Sequence, residues 1–338
     1  MDGQDRQMSR NFAVLKHVYR LLGIDRKTKM GMRGEHRVAE MEQIGVQLPS
    51  IWLGRFCSKA EFENASEALE QFYKVIDWID DQLLVSRHPF YLPAFCVACG
   101  SVTRMRVDWM YGGWSRQEPS VYPAWTETCV CERCGLSSRM RAAVDYLIEK
   151  TRLNKNSLIF IAEQLTPTFQ QLKSLYPRLI GSEFLGPNYV GGNHYMHMGR
   201  YVRHEDLTSL SFEKNTFEAI ITLDVFEHIP NVSLAFKECY RVLRSDGELI
   251  FTVPFFSNYE KSVVRASVSE MGEIVHYLPP EIHGNPISPE GCLCFHNFGW
   301  DILVMLRDSG FRQTEAWLYW GPWKGHMGYP TFVFHAVK

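Results

Sequence analysis

The sequence lacks the features that place a protein in a membrane or on nucleic acid. Its 338 residues contain no run of ~18 apolar residues, the length that a membrane-spanning helix requires. The first residues, MDGQDRQMSRNF, are polar where a secretory signal has its apolar segment. The formal net charge of -2 and a pI near 6.6 give no general affinity for phosphate backbones or anionic lipids. We therefore expect a cytoplasmic protein without a membrane span or a nucleic-acid partner.

Apolar and aromatic side chains are abundant, at 46% and 13% of the residues. A chain of this length and composition can bury a substantial core and has room for two or three domains. It also has nine cysteines. Because thiols remain reduced in the cytoplasm, these cysteines indicate a metal site before they indicate disulfides.

Residues 9–90 have the periodicity of helices. Apolar stripes cover residues 14–22 and 58–79, and the second stripe starts at a capping box, with Ser58 as its first residue, and spans about six turns. A third helix is predicted within residues 30–45. We expect an accessory helical region that packs on the rest of the chain or on a second copy, which gives a homodimer.

Residues 91–136 contain two knuckles of the form Cys-x-x-Cys-Gly, with the thiols of Cys96, Cys99, Cys131 and Cys134. Glycine lets the backbone turn so that amide groups face the sulfurs. Four thiolates suit tetrahedral zinc, and four protein ligands leave no open position, so we predict a structural zinc site. The 31 residues between the knuckles exceed the usual ribbon spacing, and Cys129 is a competing ligand. Buried cysteines without a metal are the alternative.

Residues 217–254 predict a strand, a helix and a second strand, which together require a parallel sheet. The first strand is mainly apolar and stops at Asp224, at the C-terminal edge where open α/β sheets bind ligands. A helical pattern follows Pro230, with Asn231 as its candidate cap. The second strand is predicted over residues 248–253.

This unit resembles class I S-adenosylmethionine-dependent methyltransferases. In that family a strand ends in an acid, a Glu-His-(Ile/Val)-Pro segment follows, and a helix ending in Arg-Val-Leu leads through glycine into the next strand. The matching residues here are Asp224, Glu227 to Pro230, Arg241 to Leu243 and Gly247. Upstream, residues 206–212 are similar to the family's Asp-x-x-x-Leu-x-Phe segment. The alternative is a βαβ unit of another Rossmann-like enzyme, since a fold does not fix a function.

The resemblance implies an α/β Rossmann-like class I methyltransferase fold with a mostly parallel seven-stranded sheet. We expect a helical accessory region at 1–90, a zinc-ribbon-like module at 91–136, and a methyltransferase domain at 137–338. Residues 254–297 have few regular patterns and are predicted to form a lid-like segment of that domain. The implied enzyme moves a methyl group from S-adenosylmethionine to a small-molecule acceptor by O- or N-methylation.

The chain departs from the family after its first predicted strand, residues 158–162. The expected Gly-x-Gly-x-Gly loop is replaced by residues 163–167, EQLTP, which contain no glycine and cannot approach a ligand as closely. Thr166 as a cap and Pro167 as a first helical residue still predict a strand, a loop and a helix. Together with the knuckles, this pattern resembles one subgroup of methyltransferase-domain proteins without the glycine loop.

Acids at strand ends are the predicted cofactor ligands. Glu183 follows the first loop by about twenty residues, the spacing at which such folds place an acid on the ribose hydroxyls. The resemblance implies that Asp206 and Leu207 lie near the adenine. It leaves Glu163 or Asp224 for the methionine end with its ammonium group.

A proton-bearing acceptor also needs a base, because methyl transfer is an in-line displacement that otherwise requires only alignment. His228 is the first candidate, since histidine titrates near neutrality, and His283 and His296 are the alternatives. Metal binding by these histidines with Glu227 is a further interpretation. A second class of function is a degenerate methyltransferase fold that acts as a zinc-containing scaffold or regulatory subunit.

Overall fold

The computed structural model describes residues 50–84, 86–111, 113–114, 122–285 and 287–338. The helices predicted within 14–22 and 30–45 lie outside these ranges. The helices are α1 (Lys59–Asn64), α2 (Ser66–Leu83), α3 (Trp125–Thr128), α4 (Ser138–Lys150), α5 (Pro167–Leu175), α6 (Val232–Val242) and α7 (Ile302–Asp308), with 3₁₀ turns at Phe226–His228 and Pro322–Lys324. The strands are β1 (Trp52–Phe56), β2 (Phe90–Cys96), β3 (Ser101–Val107), β4 (Gly113–Trp114), β5 (Tyr122–Pro123), β6 (Val130–Cys131), β7 (Ile159–Ile161), β8 (Ile180–Gly181), β9 (His194–His197), β10 (Arg200–Arg203), β11 (Phe217–Leu223), β12 (Leu243–Thr252), β13 (Val263–Val264), β14 (Ala266–Val268), β15 (Ile274–His276), β16 (Ile282–Asn285), β17 (Ser288–Leu293), β18 (His296–Asn297), β19 (Gln313–Gly321) and β20 (His326–Val337).

The described residues divide into two compact units. One unit comprises residues 50–53, Ala68–Arg141 and Tyr319–Pro330. The other comprises Gly54–Glu67, Ala142–Leu318 and Thr331–Lys338. In the part of the chain that the structure describes, no helix has both the length and the apolar character to cross a membrane.

A seven-stranded sheet has the order β1-β19-β20-β12-β11-β7-β8. Strands β8, β7, β11 and β12 are parallel neighbours, and β20 pairs antiparallel with β12. The sheet is therefore mixed, which confirms the predicted α/β architecture in its coarser form. From β7 the chain first adds β8 on one side and later β11 on the other. The strand order thus reverses between β7 and β11, the position where open sheets bind ligands.

The segment from β11 to β12 confirms the predicted strand, helix and strand. Asn231 caps α6 by accepting a hydrogen bond from the amide of Leu234 (3.2 Å). The second strand begins at Leu243, five residues before the predicted start at 248. A register shift explains the difference, because β12 bulges between the partners of Phe217 and Ala219, and Asp246 adopts a left-handed conformation there (φ 62°).

An aromatic cluster fixes the chain just after β11. Phe226 contacts Phe236 of α6 and Phe251 of β12 edge-on, with ring centroids 4.8 and 5.3 Å apart, and Phe251 stacks on Phe334 of β20. All four rings are buried. Because the dispersion contacts of such rings resist displacement, this cluster anchors the 3₁₀ turn that follows.

Three predictions of secondary structure need correction. The helix predicted over 58–79 is two helices, because α1 ends at Ala65, whose amide donates to the carbonyls of Phe62 and Glu63. Strand β1 lies within the region predicted as helical. The described residues of 254–297 form six short strands, of which β14 pairs with β15 and β16 pairs with β17. Strands of two to six residues are too short for a recognisable period.

The unit that contains Ala68–Arg141 has a three-stranded antiparallel sheet in the order β2-β3-β6. Arg141 is fully buried and donates to the carbonyl oxygens of Cys129 (2.9 Å), Leu136 (2.7 Å) and Gly325 (2.8 Å). Each of these oxygens accepts from a charged donor, which offsets part of the cost of burying the guanidinium, while its Nε has no hydrogen-bond partner among the described residues.

Candidate functional site

Acidic residues follow the C-terminal ends of three adjacent parallel strands. Ile161 of β7 pairs with Gly181 of β8 and with Ile221 of β11, so the strands end at the same edge. The acids that come next in the chain are Glu163, Glu183 and Asp224. The structure therefore brings these three predicted cofactor ligands to the edge at which the strand order reverses.

Glu183 holds the loop that lacks glycine. Its side chain is buried, with 7% of the residue exposed, and Oε1 accepts hydrogen bonds from the amides of Gln164 (2.7 Å) and Leu165 (2.8 Å). Burial raises the pKa of Glu183, and the two amide bonds oppose this shift. At the start of α5 the side chain of Thr166 accepts from the amide of Phe169, which confirms the predicted cap. A carboxylate thus replaces glycine flexibility in ordering this loop.

Asp224 and Asp206 both accept hydrogen bonds from hydroxyl groups. Asp224 has a left-handed backbone (φ 52°), and its Oδ1 accepts from Oγ1 of Thr252 (2.7 Å) at the end of β12. Asp206 lies beyond a short parallel bridge between Glu183 and His204, and its Oδ1 accepts from the amide and hydroxyl of Thr208. The adjacent Leu207 is buried.

Sequence reasoning missed Glu205, which is 3% exposed. Its carboxylate accepts from the guanidinium of Arg203 (2.8 Å) and from the amide and hydroxyl of Ser211 (2.9 and 2.6 Å). This network fixes the segment that carries Asp206. The only sequence signal was the alternation of Arg203 and Glu205, which places both side chains on one face of an extended segment.

Two of the predicted histidines meet at Glu227, three residues after Asp224. Nε2 of His228 lies 3.6 Å and Nδ1 of His283 lies 3.7 Å from Oε1 of Glu227. The two imidazole rings pack edge-to-face with centroids 5.0 Å apart. Burial raises the pKa of Glu227, and the Glu227 carboxylate raises the pKa of His283 to about 9.

The other ring nitrogens of these histidines are also bonded. Nδ1 of His228 donates to the carbonyl of Leu293 (2.8 Å), and Nε2 of His283 donates to Oε1 of Glu281 (3.0 Å). His296 lies apart from this pair, because its Nε2 donates to the carbonyls of Ile229 (3.0 Å) and Pro230 (3.2 Å). Burial lowers the pKa of His296. The structure thus joins His228 and His283 at one carboxylate and gives His296 a contact with the following turn.

The four knuckle cysteines form a second cluster, in the unit that contains Ala68–Arg141. Their sulfurs all lie within 4.8 Å of one another, and Cys96 to Cys134 and Cys99 to Cys131 are 3.7 and 3.9 Å apart. Both knuckle glycines have the positive φ that the Cys-x-x-Cys-Gly pattern requires (62° and 74°). Cys129 is outside this group, and its sulfur lies 3.9 Å from the guanidinium of Arg141.

A family match covers the central part of this site. Residues 190–251 match the model of a family described as a methyltransferase domain. The matched segment contains Asp206, Leu207, Asp224, Glu227 and His228. The match confirms, for these residues, the predicted resemblance to class I S-adenosylmethionine-dependent methyltransferases. No curated protein matches the sequence.

Solved structures with this description are similar to the chain at low identity. An S-adenosylmethionine-dependent methyltransferase from Mesorhizobium loti is 13% identical over 58% of this chain and 96% of that chain, with a TM-score of 0.36. One from Methanosarcina mazei is 16% identical over 57% of this chain and 97% of that chain, with a TM-score of 0.35. A proposed sarcosine dimethylglycine methyltransferase from Galdieria sulphuraria is 16% identical over 34% of this chain, with a TM-score of 0.27, and this chain spans only 45% of its length. Likeness at this level carries no argument about substrate or partners.

Proposed function

We propose that this protein transfers a methyl group from S-adenosylmethionine to an oxygen or nitrogen of a small-molecule acceptor in the cytoplasm. The observation that carries the proposal is the position of Glu163, Glu183 and Asp224, which follow the ends of three adjacent parallel strands at the edge where the strand order reverses. The family match, which includes Asp224, supports it.

The acids fit the donor groups of the cofactor. Carboxylates only accept hydrogen bonds when ionised, and the ribose hydroxyls, the adenine amino group and the ammonium group all donate. We assign Glu183 to the ribose, Asp206 with the apolar Leu207 to the adenine, and Glu163 or Asp224 to the ammonium. When bound, S-adenosylmethionine supplies an electrophilic methyl group. The side chains at the strand ends orient it, and they are preorganised by the bonds from loop amides and Thr252.

His228 is the proposed base for a proton-bearing acceptor. Its Nδ1 proton is engaged with Leu293, so Nε2 presents a lone pair. His283 ranks second, because a pKa of about 9 keeps it protonated near neutrality. His296 ranks third, because its Nε2 is occupied by the carbonyls of residues 229 and 230.

We also propose one structural zinc ion at Cys96, Cys99, Cys131 and Cys134. Tetrahedral zinc with bonds of ~2.3 Å places its sulfurs ~3.8 Å apart, and two of the sulfur pairs are 3.7 and 3.9 Å apart. The position of Cys129 beside Arg141 supports Cys131 as the ligand. The division at residues 90 and 136, the lid role of 254–297 and a homodimer through the N-terminal helices remain parts of this proposal.

A second candidate function is a zinc-containing scaffold or regulatory subunit without catalysis. The observation that favours it is the use of Oε1 of Glu183 by two loop amides, which removes part of its acceptor capacity from the ribose. In this second function, the Glu183 carboxylate orders the glycine-free loop and contributes only to stability.

Transfer of labelled methyl groups separates the two candidates. The full-length protein with labelled S-adenosylmethionine is incubated with small hydroxyl, carboxyl and amine acceptors. The enzyme reading predicts label in at least one class, and loss of that label in Asp224→Asn. A protein that binds S-adenosylmethionine but labels none of these classes supports the scaffold reading.

A further inference from the structure

Glu227 is a buried carboxylate whose desolvation is not offset by hydrogen bonds. None of the residue is exposed, and neither carboxylate oxygen has a hydrogen-bond partner among the described residues. The methyl-transfer proposal gives this side chain no task. Because a buried charge is stable only with a charged or hydrogen-bonding partner, the environment of Glu227 calls for a cation.

Two imidazole nitrogens face the same carboxylate oxygen. They are Nε2 of His228 at 3.6 Å and Nδ1 of His283 at 3.7 Å, and both distances exceed a hydrogen bond. A carbonyl and a carboxylate can only accept, so Leu293 and Glu281 fix the ring protons on the opposite nitrogens. In the neutral rings, two lone pairs and a carboxylate oxygen then lie within 4.8 Å of one another.

We infer that Glu227, His228 and His283 bind a divalent transition-metal ion, separate from the ion of the cysteine cluster. Imidazole nitrogen with carboxylate oxygen suits zinc, iron, cobalt or nickel. Tetrahedral bonds of ~2.1 Å separate two ligand atoms by ~3.4 Å. Each imidazole nitrogen now lies 3.6 or 3.7 Å from Oε1 of Glu227, so these two distances would shorten by only a few tenths of an ångström. Metal-bound histidines usually donate their other N–H to a carbonyl or carboxylate, as both rings do here.

The surrounding backbone holds the ligands together. The amide of Phe295 donates to the carbonyl of Glu227 (2.7 Å), and the amide of Cys294 donates to the carbonyl of Glu281 (2.8 Å). His283 lies in β16, paired with β17, which also supplies the carbonyl of Leu293. The three ligands therefore come from two segments that are fixed to each other before any ion binds.

The side chains of His228 and His283 are 13% and 27% exposed, whereas that of Glu227 is not exposed. Three protein ligands would leave a coordination position open for an oxygen ligand. This position suits a hydroxyl or carboxyl acceptor, a role that rests on the proposed function. With an ion bound, Nε2 of His228 would be a ligand and not a base; coordination would lower the pKa of a hydroxyl acceptor, and its proton would pass to solvent water at this partly exposed position.

Two other arrangements use the same residues. A proton on His283 can neutralise Glu227 without a metal. Alternatively, Glu281, His283 and Cys294 have ligand atoms within 4.8 Å of one another and form a neighbouring three-ligand group. The experiment has an arm for each arrangement.

The probe is Co²⁺, added to the full-length protein after one equivalent of Zn²⁺ has filled the cysteine cluster. Calorimetry and visible absorption should show one further equivalent of Co²⁺ in the wild type. Glu227→Gln and His283→Gln should lose it, and Glu281→Gln should bind ~10- to 100-fold more weakly, as for other residues that support a ligand. His276→Gln, an exposed histidine of β15, is the matched control and should bind like the wild type.

Absence of a second equivalent at millimolar Co²⁺, or equal affinity in Glu227→Gln, overturns the inference. Loss of binding in Cys294→Ser with retention in Glu227→Gln overturns it in favour of the neighbouring group. Thermal unfolding gives a second readout, in which Co²⁺ should raise the Tm of the wild type but not of Glu227→Gln. The third outcome is that Co²⁺ stabilises neither protein and that Glu227→Gln has a lower Tm than the wild type under both conditions. This outcome overturns the inference and assigns the neutralisation of Glu227 to protonated His283. Calorimetry with S-adenosylmethionine is independent of each outcome.

Discussion

Replacing Glu183 separates its support of the glycine-free loop from its proposed contact with the ribose. In Glu183→Ala the amides of Gln164 and Leu165 lose their acceptor. A buried unpaired amide costs about 1–3 kcal/mol. Because both loop residues are only half-buried and water can reach them, we expect the free energy of unfolding to fall by ~2–4 kcal/mol. Affinity for S-adenosylmethionine should weaken by about 1.5–3 kcal/mol, the range for a hydrogen bond to a charged group.

Glu183→Gln is the informative second variant. Its amide oxygen can accept both loop bonds, so stability should stay near that of the wild type while the charge is lost. Affinity for S-adenosylmethionine should then fall by ~1 kcal/mol, the difference between charged and neutral hydrogen bonds. Chemical denaturation measures the first quantity and calorimetry the second, with the exposed Glu213→Ala as control. An unchanged unfolding free energy in Glu183→Ala would refute the loop role, and unchanged affinity in both variants would refute the ribose role.

Three further predictions concern the zinc cluster, a buried acid and the base. Cys131→Ser should lose the zinc found by elemental analysis, whereas Cys129→Ser should keep it, and the reverse result would reassign the ligand. Burial raises the pKa of Asp80 from 3.8 to about 7, so between these values the unfolded state releases a proton that the folded state keeps. Stability should therefore fall as pH rises through this window, by up to about 4 kcal/mol. Asp80→Asn should abolish that slope in denaturation curves, and a slope that persists would refute the assignment. His228→Gln should lower turnover ~10²- to 10⁴-fold with nearly constant cofactor affinity, and unchanged turnover would exclude His228 from the chemistry.

Local patterns were sufficient where one element carries its own signal. The apolar run of β11, the Asn231 cap of α6 and the Thr166–Pro167 start of α5 could each be predicted, because period and capping depend on neighbours in the chain. The glycines of the two knuckles likewise follow from their turns. The acids at the strand ends followed from the parallel order of the strands.

Contacts between distant segments could not be predicted in the same way. The bonds from the loop amides to Glu183 depend on how β8 lies beside β7, and no local pattern records them. His283 reaches Glu227 only because β16 pairs with β17, whose Leu293 carbonyl also bonds His228. Strand β1 and the paired strands within 254–297 are short and mixed in polarity, so pairing partners rather than period define them.

Calorimetric titration of the full-length protein with S-adenosylmethionine tests the central claim most directly. We predict one site per chain, competition by the demethylated product, and weaker binding by Asp224→Asn or by Glu163→Gln, whichever acid holds the ammonium. Asparagine tolerates the left-handed backbone at residue 224 and can still accept from Thr252, so the Asp224→Asn variant removes charge while the fold is kept. No heat of binding at millimolar cofactor, or equal affinity in both Asp224→Asn and Glu163→Gln, would contradict the proposed function.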